Sequence, residues 1–455
     1  MRLSFLGYLS IFSILFIIIF GYSNLNQAPD IDFVFTNLLI NIFLIFKLLT
    51  VRNNLSVSSI INIFILFFFG LSPIFQLNNN FYTWGTYLTK NEILTSNILI
   101  LLILLVLHLT TRPFSNKESL RKSNLSLRND LKLINFVSEV GIKIKYRSQI
   151  LLLISTFLLF LYFFSTYNFN FINILYRFND SDLGFNGNAT FYLFISYFVR
   201  PLIFNSFLVY LFCKNKNKIF LTIFLFLAII SVFPTGVPRF FAASMYLTFF
   251  YIIILKYFKL NFSLLFVLMI GLIFIFPFLD LFRWFTSDEK ISSYTFNLDL
   301  ASGNFDAYGM FTLAISRGTI VYGNNIFSAL FFFVPRFLWP NKEIGSGAKI
   351  SEELNLSLDN ISMPYFAEGY LCLGLIGLLF FTFLLSRISY NLDKQFYKNL
   401  YEERFKSNPI FLISYLNIIF LFFFIMRGDL LSSYAYLFGI SFSNFILYKF
   451  SKMLF

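Results

Sequence analysis

Cysteine, histidine and charge are scarce in this chain of 455 residues: it has two cysteines, one histidine and only 13% charged residues. Each scarcity excludes a class. Cys213 and Cys372 both fall inside apolar runs, so neither a disulfide framework nor a cysteine-based metal site is available. The lone histidine, His108, sits in the fourth apolar run as a packed helix residue, which argues against chemistry built on a histidine base. Extended polar stretches are few as well. Hydrophobic residues make up 58% of the chain, 70 residues are phenylalanine, and the mean hydropathy is +0.75.

Apolar runs of about 17 to 23 residues recur from one end to the other, the length needed to cross a bilayer as a helix. The expected fold is therefore all-α, a single polytopic integral membrane domain over residues 1–455. We draw spans at 4–20, 33–50, 55–75, 93–111, 150–167, 191–213, 219–233, 240–256, 260–282, 366–385, 410–426 and 431–449, about twelve in all. The first run follows Met1-Arg2 and has no small-residue cleavage site before Gly21, so it reads as a retained span.

The connectors between these spans divide by charge. On one side lie 24 Lys and Arg against 6 Asp and Glu, and on the other 11 against 16. That asymmetry puts the first side, with both termini, in the cytoplasm. It also accounts for the net charge of +13 without a nucleic-acid partner. Residues 112–149 then form a basic cytoplasmic connector, whose 127–146 stretch has apolar residues at helical spacing and suits a helix on an anionic lipid surface. Residues 283–365, between spans nine and ten, form a large outward-facing loop. A second outward connector, 168–190, is rich in Asn, Asp and Gly, which favour turns. No internal repeat is visible, which weakens a transporter reading.

Any chemistry belongs in the stretch from Asp299 to Tyr370, which mixes arginines, carboxylates and short apolar runs that stop before bilayer length. The outward or intramembrane cations are Arg177, Arg200, Arg239, Arg283, Arg317, Arg336 and Arg427, with Lys90, Lys290, Lys342 and Lys349. Outward arginines work against topology and need another reason. Arg200 lies well inside span six and precedes Pro201, so a charge there requires a partner such as Asp280, or a wet cavity holding an anion. Arg239 and Arg283 sit at span boundaries and read either as interfacial anchors or as members of an anion site. Several guanidiniums converging would suit pyrophosphate, because each presents a planar fork to phosphate oxygens.

Pro335-Arg336-Phe337-Leu338-Trp339-Pro340-Asn341-Lys342, then Pro364-Tyr365-Phe366-Ala367-Glu368-Gly369-Tyr370, then Arg427-Gly428-Asp429 resemble the O-antigen polymerase (Wzy-type) family of oligosaccharide repeat-unit polymerases. Arg336 and Gly347 enclose ten residues, similar to an Arg-x10-Gly pattern of outer loops in that family. The resemblance covers the outer loop and the last three spans. It implies joining of polyprenyl-pyrophosphate-linked oligosaccharides into O-antigen, capsule or exopolysaccharide on the outer face of a bacterial cytoplasmic membrane, with no cofactor or metal and with a chain-length regulator as a possible partner.

On that reading Arg239 and Arg336 are expected in catalysis, and Arg200, Arg283, Arg317, Lys342, Tyr365, Tyr370, Arg427 and Asp429 in holding pyrophosphate and sugar. Glu368 is the candidate base, with Asp306 and Asp429 in reserve; its other reading is a carboxylate favouring a helix N-terminus or orienting an arginine. Short loop helices near 305–316 and 326–334 are expected to cap a lateral, lipid-accessible cavity. Rival readings are a metal-dependent glycosyltransferase using a polyprenyl-monophosphate sugar, for which Asp30/Asp32 and Asp180/Asp182 would hold the cation, an O-antigen ligase, and a lipid-linked oligosaccharide flippase.

Overall fold

In lipid the backbone has no water to bond, so apolar runs of this length satisfy their own N–H and C=O groups as helices. The computed structural model describes residues 5–23, 31–50, 55–78, 84, 86–110, 133–134, 137–175, 193–258, 263–275, 300, 303–356, 361–404 and 408–454. Among these residues the protein is helical and has no strand, only an isolated bridge between Ile142 and Cys213.

Among the described residues eight helices are long and apolar enough to cross a membrane: α2 (Ile31–Thr50), α3 (Val57–Leu77), α4 (Lys90–Thr110), α5 (Tyr146–Ser165), α8 (Arg239–Phe258), α13 (Tyr365–Tyr401), α14 (Ile410–Arg427) and α15 (Leu430–Met453). Four shorter apolar helices are α1 (Gly7–Ser23), α6 (Ile195–Leu211), α7 (Lys218–Ser231) and α9 (Leu264–Ile275). The protein is thus a polytopic membrane protein. Three further helices, α10 (Ala307–Arg317), α11 (Asn324–Leu330) and α12 (Ser346–Glu353), belong to the segment that joins α9 to α13. We call the end of the bundle where they lie the loop end.

At the centre, α3 is almost wholly buried and packs on α2, α13 and α14. Phenylalanine fills the space: Phe64 stacks on Phe68 at 4.5 Å, and both meet Phe423 of α14 edge-on. Within α3, Leu66–Leu71 winds as a π-helix, which displaces a carbonyl from the regular ladder. Asparagines from α2 satisfy it, with Asn37 Nδ2 and Asn41 Nδ2 donating to the Gly70 carbonyl at 3.1 and 3.2 Å. α14 packs in turn on α8 and α15, and α5, α6 and α7 form a second cluster around Phe163 and Ile203.

The loop segment enters the bundle instead of lying over it as a cap. α10 is buried from Ala307 to Ala314 between α4 and α13, where the Tyr308 hydroxyl donates to Asn97 Oδ1 at 3.0 Å. α11 packs on α15. Gly347 in α12 faces the Ile361 backbone so closely that a Cβ would collide with the Ile361 carbonyl.

The span expected as one helix over 366–385 is broken. Leu373 (φ −148°, ψ 29°) and Gly374 (φ 62°, ψ −143°) leave helical geometry, and the Gly374 conformation is open only to glycine. A straight helix would separate residues 365 and 381 by about 24 Å. Here the Tyr365 hydroxyl donates to the Phe381 carbonyl at 3.2 Å, and a Cβ on Gly377 would strike the Gly369 carbonyl. The first two turns of α13 therefore double back beside the turns that follow, so Glu368 is carried into the protein, where it is buried.

The basic connector is helical at residues 133–134 and 137–139, as expected, and departs from that expectation further on. Residues 141–145 are extended and not helical. Ile142 N–H donates to the Phe212 carbonyl at 2.8 Å, and Lys214 N–H to the Ile142 carbonyl at 2.9 Å. Residues 111–132, together with Asp30, Arg177, Asp180, Asp182, Asp280, Arg283 and Lys290, lie outside the described residues.

Candidate functional site

α6 begins with a π-helical turn, Ile195–Val199, just before Pro201. Proline has no N–H for the carbonyl of Tyr197 four residues earlier, so the regular ladder is interrupted there. The neighbouring Phe198 carbonyl is taken up by Ser443 Oγ of α15 at 3.0 Å. This start of α6 leaves Tyr197 between two adjoining cavities at the loop end, both also bounded by Leu193 and Ser432.

The first cavity, of about 320 Å³, is the polar one. Arg239, the first residue of α8 after Pro238, lines it and donates through Nη2 to Asn304 Oδ1 at 3.0 Å. Arg427, the last residue of α14, lies over the Phe240 ring at 4.8 Å and ion-pairs with buried Asp306 at 2.9 Å. The Arg427 Nη2 group also donates to the Gly303 carbonyl at 3.3 Å, whereas Nε is buried with no hydrogen-bond partner among the described residues. Asp306 further accepts from Ser362 Oγ at 2.9 Å. Across the cavity Asp429 caps α15, accepting from Ser432 N–H at 2.9 Å and Ser432 Oγ at 2.7 Å. Trp84 completes the wall, its indole N–H buried without a partner among the described residues.

The second cavity, of about 620 Å³, is mainly aromatic, with Phe194, Phe198, Phe332, Phe333 and Phe337 in its walls. Its two cations are Arg336 and Lys342. Neither makes an ion pair among the described residues. Lys342 Nζ donates to the Phe332 and Val334 carbonyls at 2.7 and 3.1 Å, and Arg336 to the Lys342 carbonyl at 2.9 Å. Burial, and then the Arg336 charge, hold the Lys342 ammonium below the ordinary lysine range. Two like charges clamped side by side on carbonyls form a place where an anion is welcome. Volumes of this size are those of ligand pockets.

Of the site candidates read from the sequence, Arg239, Asp306, Arg427 and Asp429 meet at the polar cavity, and Arg336 and Lys342 at the aromatic one. Five others line neither. Arg200 is buried in an aromatic cage, 5.0 Å from the Phe163 ring, donating to the Gly236 carbonyl at 3.0 Å and to the Tyr167 hydroxyl. It braces the loop before Arg239 and is not placed to touch a ligand. Arg317 ties the end of α10 to the start of α4 through Glu92 at 3.1 Å. Tyr365 serves the α13 hairpin, and Tyr370 packs against the core.

Glu368 stands apart by its surroundings. Its carboxylate accepts from Asn325 Nδ2 at 3.0 Å, Ser346 Oγ at 2.8 Å and Leu430 N–H at 2.9 Å, joining α11, α12 and the first residue of α15. It is a fully engaged clamp, and the alternative reading of a carboxylate at a helix N-terminus describes it. Trp84, Tyr197, Asn304, Ser362 and Ser432 were not singled out in the sequence; only the Tyr197–Pro201 spacing carried a signal. No group of His, Cys, Asp and Glu able to hold a metal ion occurs among the described residues.

Chemically, the polar cavity offers two guanidiniums that can face a phosphate group, one of them oriented by Asp306, and a carboxylate, Asp429, that can accept a proton. Comparison of the chain with protein-family models, curated proteins and solved structures gives no match, so the likeness of its loop to repeat-unit polymerases rests on the quoted residues alone.

Proposed function

We propose that the protein polymerises polyprenyl-pyrophosphate-linked oligosaccharide repeat units at the outer face of a bacterial cytoplasmic membrane, with about twelve spans and both termini inside. The observation that carries the reading is the pair of adjoining cavities. A polar cavity holding Arg239, Arg427, Asp306 and Asp429 opens beside an aromatic one holding Arg336 and Lys342. A glycan head joined through phosphates to a long apolar tail is the kind of molecule that needs both.

An anomeric carbon already activated by pyrophosphate requires stabilisation of the departing charge and a base for the incoming hydroxyl. The acceptor oxygen bonds to the anomeric carbon as the carbon–oxygen bond to pyrophosphate breaks. The hydroxyl proton passes to a carboxylate, and the leaving pyrophosphate is held by guanidinium. Arg239 and Arg427 suit the second role. For the first, Asp429 replaces Glu368, because it lines the cavity and its capping bonds come from a single residue, Ser432. Asp306 is committed to Arg427 and Ser362 and serves to orient that arginine.

Glycans from cells lacking the protein, separated by size, test the proposal. Loss of long chains with a single repeat unit retained on its acceptor supports it. Full-length polymer left on the carrier would identify a ligase, and incomplete repeat units a monophosphate-sugar glycosyltransferase.

A further inference from the structure

At the end of the bundle opposite the cavities, three lysines converge with no ion pair among the described residues. α6 starts beside the cavities and ends at Leu211, and α8 starts at Arg239 and ends at Phe258, so Lys214, Lys216 and Lys256 stand about 25 Å of helix away from the candidate site. The chain around them is held firmly. Beside the Ile142–Cys213 bridge, Ile144 and Asn215 exchange hydrogen bonds in both directions, at 3.2 and 2.6 Å. Gln149 Nε2 donates to the Ile144 and Asn215 carbonyls, each at 3.1 Å.

On this platform Lys256 Nζ donates to the Val140 carbonyl at 3.2 Å and the Leu211 carbonyl at 3.1 Å, and it sits over the Phe212 ring at 4.3 Å. Lys216 Nζ reaches the same Leu211 carbonyl at 3.4 Å and the Tyr257 hydroxyl at 2.6 Å. Two ammonium groups are therefore fixed side by side on one oxygen, and the Lys214 stem lies against Gly141 next to Val140. Among the described residues none of the three forms an ion pair, whereas Lys349, Lys398, Arg317 and Arg404 each find a glutamate. Each ammonium carries three protons, and Lys216 and Lys256 use two apiece on the protein. Repelling charges with protons to spare, held by a rigid frame, form a binding site for an anion.

The surroundings say which anion. Tyr257 and Phe258, which follow Lys256 directly, are 53% and 64% exposed at the end of an apolar helix, so the charge lies beside surface suited to acyl chains. We propose that Lys214, Lys216 and Lys256 hold the headgroup phosphate of an anionic phospholipid whose chains lie against Tyr257 and Phe258. The lipid neutralises the lysines and fastens the segment before α5, the α6–α7 turn and the end of α8 together. This site is independent of the reading of the loop-end cavities.

The test compares purified wild-type protein with the double variant Lys214→Ala/Lys216→Ala, which keeps Lys256 and its brace on two carbonyls. Both are placed in nanodiscs of phosphatidylcholine alone or with phosphatidylglycerol, and bound phosphatidylglycerol and the unfolding midpoint are measured. Wild type should retain phosphatidylglycerol and unfold at higher temperature with it. The double variant should hold it roughly thirtyfold less tightly, at about 1 kcal/mol per lysine, and Lys214→Arg/Lys216→Arg should restore binding. Added salt should shrink the gain in wild type, a readout that stands even where the alanine variant does not accumulate. Equal midpoints in the two lipids, or phosphatidylglycerol retained by the alanine variant, would overturn the proposal. Inorganic phosphate protecting as well as the lipid would overturn its lipid part and leave a site for a free anion.

Discussion

Glu368 and Asp429 meet at the same helix N-terminus, and their surroundings differ in the one respect that matters for function. Glu368 receives donors from three separate elements and lines neither of the two loop-end cavities. Asp429 receives its capping bonds from Ser432 alone and stands in the wall of the polar cavity beside Arg427 and Arg239. Both carboxylates stabilise the positive end of α15. Only the second has a side turned toward space that a substrate hydroxyl can occupy. Arg200 and Arg427 repeat the contrast: each lies over an aromatic ring with a buried Nε that bonds to none of the described residues, but Arg200 is enclosed by protein and Arg427 looks into the cavity.

Substitutions can break this contrast or sharpen it. Asp429→Asn should keep a cap for α15 and lower the polymerisation rate by about 10²- to 10⁴-fold, the usual contribution of a positioned base. Chain-length profiles normalised to membrane protein check it; long chains at wild-type rate would remove Asp429 from the chemistry. Arg239→Ala should lower the rate by about 10²- to 10³-fold through lost stabilisation of the leaving group, with the protein still present in membranes, whereas poor accumulation would mark Arg239 as structural. Glu368→Ala should act on the fold, since it strands donors of Asn325, Ser346 and Leu430, at about 1–3 kcal/mol for each buried group left unpaired. A lowered unfolding midpoint in detergent is the expected readout, and an unchanged midpoint with lost activity would return Glu368 to catalysis. Arg317→Ala should do least, because its partly exposed pair with Glu92 contributes on the order of 0.2–1 kcal/mol. A drop in activity comparable to that of Arg239→Ala would show that the loop end has been divided wrongly.

Much of this architecture is legible in the sequence because bilayer thickness sets a length scale that apolar runs reveal. Helices near 305–316 and 326–334 were expected, and α10 and α11 occupy 307–317 and 324–330. The α13 hairpin was hidden, since residues 366–385 are apolar on either side of the reversal and a single glycine marks it. Residue type also pointed to Arg239, Arg336 and Arg427, because an arginine placed against topology needs an anionic or aromatic reason. It could not separate these from Arg200, whose partners, the Gly236 carbonyl and Tyr167, are 36 and 33 residues away in the chain. The surroundings of Glu368 were hidden for the same reason: its donors come from helices beginning at residues 324, 346 and 430. What a charged side chain faces is decided by packing, which local spacing does not encode.

The most direct measurement sets Glu368→Gln beside Asp429→Asn in cells whose own copy is deleted, comparing glycan chain length at equal amounts of membrane protein. The cavity account predicts long chains from Glu368→Gln, which keeps a polar side chain in the clamp, and single repeat units from Asp429→Asn. Long chains from Asp429→Asn with single units from Glu368→Gln would contradict it and return the base to the buried glutamate.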